Sequence, residues 1–199
     1  MKNILLVIIL FSIGTISAQN KVVDAFSKSY QYEAKKEYKK ALDAMLSIND
    51  NKNYEINFRL GWLYYVNGDF VKSKMYYTNA IKLQPKTIEA RLGLVYPLSA
   101  MKNIDEVIKV YKDILKIDPN NSTVNYRLAY IYFLRKDWNS TEKYAKNVVR
   151  LYPFDYYSNL LLGSTLIKKG QMTEAKKYLL RALEYNPQSV DAKALLKKI

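Results

Sequence analysis

Phe58, Trp62 and Tyr65 stand four and three residues apart, a spacing that sets three aromatic rings along one face of a helix. Rings of this kind do binding chemistry. They offer wide apolar area, a polar tip on Tyr and Trp, and little entropy to lose when covered. Groups for other chemistry are absent or unassembled. The 199 residues include no His and no Cys, which removes the commonest general base, thiolate chemistry, disulfides, and Cys or His zinc sites. Carboxylates, lysines and serines are present but form no catalytic motif. The expectation is a binding protein and not an enzyme, with no cofactor and no metal.

The elements that must hold those rings are read from residues 60–85, LGWLYYVNGDFVKSKMYYTNAIKLQP. Two short helices flank the turn Asn67-Gly68-Asp69, and Pro85 closes the second. Gly68 suits the positive φ that ends a helix, and Asp69 suits the cap of the next. Gly61, without a side chain, lets a neighbouring helix come close. Ser73, Tyr77 and Ala80 line one face of the second helix.

The stretch recurs. Pro85, Pro119, Pro153 and Pro187 are spaced by 34 residues, a period that marks a solenoid of helical repeats. Repeats are expected at about 22–53, 54–87, 88–121, 122–155 and 156–189, with a capping helix over 190–199. The first is worn: Lys36 stands where Gly would sit, and no proline ends it. Lys102 and Lys136 replace turn glycines, and Val95 replaces the glycine of the first helix. Pro97, inside a first helix, removes one hydrogen bond and clashes with the Gly93 carbonyl, so a kink or early break is expected there.

The N-terminus reads as an export signal. Lys2 is followed by an apolar run at residues 4–13 and small residues up to Ala18. That run is about half the ~20 residues a membrane span needs, so residues 1–18 are expected to be a signal peptide cut before Gln19. The chain would then be periplasmic or extracellular, without stable membrane insertion after cleavage. Net charge is +14. Export and the scatter of the lysines argue against nucleic acid and leave an acidic peptide or anionic surface as what the charge would attract.

Leu-Gly followed by Tyr, a glycine turn, a second helix with small residues around an aromatic, and a closing proline together resemble the tetratricopeptide repeat. The resemblance covers essentially all of residues 19–199 and is fullest at 54–87 and 156–189. It implies an all-α, right-handed solenoid that acts as a scaffold for protein partners, gripped in a concave groove lined by the first helix of each repeat. Carried over by position, the groove holds Phe26, Tyr30 and Glu33; Phe58, Trp62 and Tyr65; Leu92, Tyr96 and Ser99; Tyr126, Tyr130 and Phe133; and Leu160, Ser164 and Ile167. Tyr30, Trp62, Tyr96 and Tyr130 thus put an aromatic at the same site of four consecutive repeats. Family members that grip a C-terminal carboxylate place Lys and Asn where this chain has Phe58 and Trp62, so that clamp is absent. Arg59 and Arg127, beside the groove, are candidate charge contacts on the helix surface. The expected occupant is a protein or peptide. A glycan or cell-wall polymer in the same groove is the alternative, and rings packing on one another across repeats is the competing structural explanation.

Overall fold

The computed structural model describes residues 20–199, and the expected signal peptide lies outside them. All regular structure among the described residues is helical. α1 covers 20–34; α2 is Tyr38–Leu46, α3 Tyr54–Val66, α4 Phe70–Leu83, α5 Glu89–Ala100, α6 Ile104–Ile117, α7 Ser122–Leu134, α8 Trp138–Leu151, α9 Tyr156–Lys168, α10 Met172–Tyr185 and α11 Val190–Leu196. The chain divides into two compact units that meet in sequence between Val110 and Tyr111, inside α6.

Helix starts are set by side-chain caps that keep the repeat period. Asn53, Asn121, Asp155 and Ser189 each accept a hydrogen bond from the backbone N–H three residues on, a contact worth about 1 kcal/mol apiece. The fifth position in that series is Thr87, whose hydroxyl turns back to the Gln84 carbonyl at 2.8 Å; α5 accordingly starts without a side-chain cap. Asp69 and Asp137 cap the second helices α4 and α8.

The turns share one conformation whatever residue occupies them. Gly68 and Gly170 have φ of 86° and 76°, and Lys36, Lys102 and Lys136 have φ of 60°, 58° and 59°. The substituted lysines therefore leave the hairpins intact, at the steric cost a side chain meets in the left-handed region.

Unit one packs α3 against α2 and α4, and α5 against α3 and α4. Its core gathers Ala41, Met45, Ile56, Leu60 and Leu63, each at most 2% exposed, and burying each large side chain contributes about 1.5–3 kcal/mol. Tyr77 of α4 is the pivot. A Cβ built on Gly61 would stand 2.9 Å from its ring, and one on Gly93 only 2.3 Å away. The close approach expected at Gly61 is present, and Gly93 supplies a second, tighter one. Ser73 ties the hairpin by donating from Oγ to the Gly61 carbonyl at 2.7 Å. Pro97 does not break α5, which runs on to Ala100 with the Met101 N–H bonded to the Pro97 carbonyl at 3.0 Å. The expected early break is absent, and Pro97 is buried within the continuous helix.

Unit two packs α7 on α8, α8 on α9, and α9 on α10, with α11 against α9 and α10. Both units use a buried asparagine to fix where a first helix begins. Asn57 donates to the Asp50 and Asn53 carbonyls and accepts from Asn79 Nδ2 at 2.8 Å. Asn125 donates to the Pro119 and Asn121 carbonyls and accepts from Asn147 at 3.0 Å. Asn159 makes the two donor bonds, to Pro153 and Asp155, but its Oδ1 is buried with no partner among the described residues. The equivalent of Asn79 and Asn147 there is Arg181.

Candidate partner-binding site

The first helices α3, α5, α7 and α9 are apolar around most of their circumference, whereas α6, α8 and α10 carry a polar outer face. An all-round apolar helix needs cover on all sides. One side meets the core through Leu60, Leu63, Leu98, Leu128 and Leu162. On the other, Tyr96 and Tyr130 remain 49% and 47% exposed, and Tyr30 of α1 is 55% exposed, which leaves aromatic surface facing solvent.

In unit one the rings expected in the groove form a connected group. Trp62 lies 5.6 Å from Tyr65 and 5.8 Å, edge to face, from Tyr96 of the next repeat; Tyr65 and Tyr96 are 5.3 Å apart. Phe70 joins at 5.9 Å from Tyr65. Phe26 and Tyr30 pair on α1 at 6.3 Å. Phe58 is drawn toward the core, stacked on Tyr54 and edge-on to Tyr77 at 5.6 Å. Burial raises the Tyr77 phenol far above its ordinary value, so this ring is a neutral structural element.

Arg59 is corrected by the structure. Its side chain is only 6% exposed and does not stand on the surface as a charge contact for a partner. Nη1 pairs with Glu33 Oε2 at 2.6 Å, Nε–H donates to Ser29 Oγ at 2.8 Å, and the guanidinium lies 4.0 Å from the centre of the Tyr30 ring. The Trp62 indole N–H donates to the other Glu33 oxygen, Oε1, at 2.5 Å. Glu33 is therefore the hub that locks Trp62 and, through Arg59, the ring of Tyr30. Sequence reasoning placed Glu33 in the groove without a role. The signal was Ser29 and Glu33 at i, i+4 on α1, opposite an arginine one repeat on.

In unit two Tyr126 lies 6.4 Å from Tyr130 and 6.3 Å from Tyr157. Phe133 packs edge-on against Trp138 of its own hairpin at 5.5 Å. Leu160, Ser164 and Ile167 are half-buried, and Arg127 is exposed and in no ion pair among the described residues. Burial, then the Asp155 carboxylate, raise the Tyr126 phenol, while Arg127 pulls it back down.

Capped helix pairs at a 34-residue period, bearing apolar first helices, define a helical-repeat scaffold, an all-α repeat solenoid. The tetratricopeptide-repeat family model matches residues 54–87 and 156–189, and those two stretches are tetratricopeptide repeats. Among solved structures it is similar to that of the MamA protein, at 17% identity over 85% of this chain and 94% of the other, with a TM-score of 0.72. A MamA RS-1 double mutant follows at 16%, 84% and 95%, with a TM-score of 0.70. MamA from residue 41 of Desulfovibrio magneticus RS-1 gives 16%, 85% and 97%, with a TM-score of 0.68. At these identities the likeness concerns the fold alone. No curated protein sequence matches the chain significantly. No described helix is long and apolar enough to cross a membrane.

Proposed function

We propose that the protein is an exported, non-catalytic scaffold that binds an extended peptide segment of a partner protein on the aromatic face of its first helices. The observation that carries this is the group Trp62, Tyr65 and Tyr96. It is rigidly seated, through the Glu33 bond to Trp62 and ring contacts across two repeats, yet Tyr96 keeps about half its surface in solvent. Held rings with open surface suit anchors, because little freedom is left to lose on binding. Tyr30, held over Arg59, extends the same face, and the excess of Lys and Arg steers acidic partners toward it. The N-terminal residues 1–18 supply the export reading. Tetratricopeptide repeats bind protein partners, and this reading specifies the face used.

The experiment is affinity capture from an envelope fraction with the native protein, Tyr96→Ala and Tyr30→Ala. These exposed rings can be truncated with the fold kept, checked by circular dichroism. Loss of the captured partner with both variants supports the reading. Normal capture alongside an earlier melt assigns the rings to structure and overturns it. For export, the mass of the protein recovered outside the cytoplasm should begin at Gln19; an intact Met1 or Lys2 rejects the signal peptide.

A further inference from the structure

Beyond Tyr130 and Tyr126, the rings of unit two continue through residues that no repeat position singled out. Tyr157 lies 5.1 Å from Tyr156, and Tyr156 lies 6.3 Å from Tyr185 at the end of α10. With the contacts already given, Tyr130, Tyr126, Tyr157, Tyr156 and Tyr185 form one unbroken ladder over α7, α9 and α10. It is open: Tyr157 and Tyr185 are 63% and 61% exposed. A contiguous exposed apolar patch of this kind marks an interaction surface.

Charge and ring geometry select the occupant. Residues 111–199 carry sixteen Lys and Arg against eight Asp and Glu, a net +8. A second copy of this unit, or a cationic ligand drawn to the ring faces, meets like charge; an acidic partner is attracted. Successive rings are turned by 21°, 57°, 74° and 30°, so they offer clefts between faces and edges and not the flat platform on which a sugar chain stacks. The Tyr156 hydroxyl is engaged with Ser189 at 2.6 Å, but those of Tyr130, Tyr157 and Tyr185 bond to no described group and stay available as donors. A polyproline II segment is the complement. Its pyrrolidine rings fit clefts between aromatics, its carbonyls have no internal partners, and it is already stiff before binding.

We infer that the tyrosine ladder of α7, α9 and α10 is a docking strip for an acidic, proline-rich segment in the polyproline II conformation, with the exposed Arg127 pairing one of its carboxylates. This rests on the peptide-binding reading above and assigns a second contact surface and its ligand chemistry.

The test is fluorescence anisotropy of the protein with labelled repeats of Pro-Pro-Glu, Gly-Gly-Glu and Pro-Pro-Lys at low salt. Pro-Pro-Glu should bind about tenfold or more tighter than either control, since each control removes the stiff ring-bearing backbone or the charge. Tyr157→Ala and Tyr185→Ala, both at exposed positions, should each weaken it about tenfold. Arg127→Ala should cause a smaller loss that fades with salt. Equal binding of Gly-Gly-Glu, or indifference to Tyr157→Ala, overturns the inference. So does self-association that Tyr157→Ala abolishes, which would give the strip to a second copy. Partner capture lost in Tyr96→Ala while Pro-Pro-Glu ignores Tyr157→Ala rejects the ladder and leaves the scaffold reading standing. Normal partner capture by Tyr96→Ala and Tyr30→Ala, with ladder binding intact, does the reverse.

Discussion

Glu33 holds Arg59 and Trp62 at once, with Arg59 Nη1 at 2.6 Å from one carboxylate oxygen and the indole N–H at 2.5 Å from the other. Neither bond lies within one helix: Glu33 is on α1, and both partners are on α3. Removing the carboxylate charge strands a guanidinium that is 6% exposed and whose Nη2 already lacks a partner. Glu33→Gln should therefore cost about 2–3 kcal/mol, somewhat less than a fully buried pair because a quarter of Glu33 is in solvent. Arg59→Met, which removes the stranded charge and keeps much of the bulk, should cost less. Chemical denaturation of the two variants decides it, and a Glu33→Gln midpoint equal to the native one would show the pair to be idle.

The hairpins were legible because caps, turns and prolines are local and recur at 34 residues. The sites of Asn53, Gly68 and Pro85 follow from the backbone needs of one hairpin, so one repeat reports on the next. Arg59 was not legible in the same way. Its burial depends on Ser29 and Glu33, residues of another repeat, and intrahelical spacing says nothing of such partners. Arg127, its equivalent two repeats on, is exposed, so the same residue at the same repeat position has two fates. The aromatic register did give Trp62, Tyr65 and Tyr96 as neighbours. It missed Tyr156, Tyr157 and Tyr185, which lie outside the groove positions of the repeat and whose ring contacts depend on which helices pack together.

Two glycines of neighbouring repeats close on one ring. With a Cβ at 2.3 Å from Tyr77 carbon, Gly93→Ala cannot be accommodated unless the ring moves, and Tyr77 is 1% exposed with nowhere to go. The expected loss is about 1–3 kcal/mol. Introducing Gly93→Ala into a Tyr77→Leu background should cost much less, because the obstacle is gone. Additive losses in that double-mutant cycle would show that some other contact limits position 93.

Asn159 offers a stabilising change. Its Oδ1 is buried without a partner, whereas the same atom of Asn57 and Asn125 accepts from Asn79 and Asn147. Arg181→Asn places the shorter amide at that repeat position and should supply the missing donor. A hydrogen bond restored to a buried acceptor is worth about 1 kcal/mol or slightly more. The variant should unfold at higher denaturant, and Asn159→Ala should abolish the gain. A gain that survives Asn159→Ala would trace instead to relief of positive charge on α10.

Glu142 of α8 gives the second unit its acid sensitivity. Its side chain is 16% exposed, and its oxygens lie 2.6 Å from Lys146 Nζ and 2.5 Å from Lys169 Nζ. Burial pushes its pKa up, but hydrogen bonds and charge from the two lysines outweigh that and bring it below the ordinary value of 4.5. A carboxylate whose folded pKa is depressed adds stability that is fully present above the unfolded value and is lost as pH falls through the folded one. Stability should therefore hold near neutrality and decline below about pH 4.5 as Glu142 takes up its proton, with the lysines left to repel each other. Glu142→Gln should be less stable than the native protein at pH 7, and the gap should narrow toward pH 3. Denaturation midpoints across that range measure it. A gap that stays constant with pH would mean that the carboxylate contributes through packing and not through its charge.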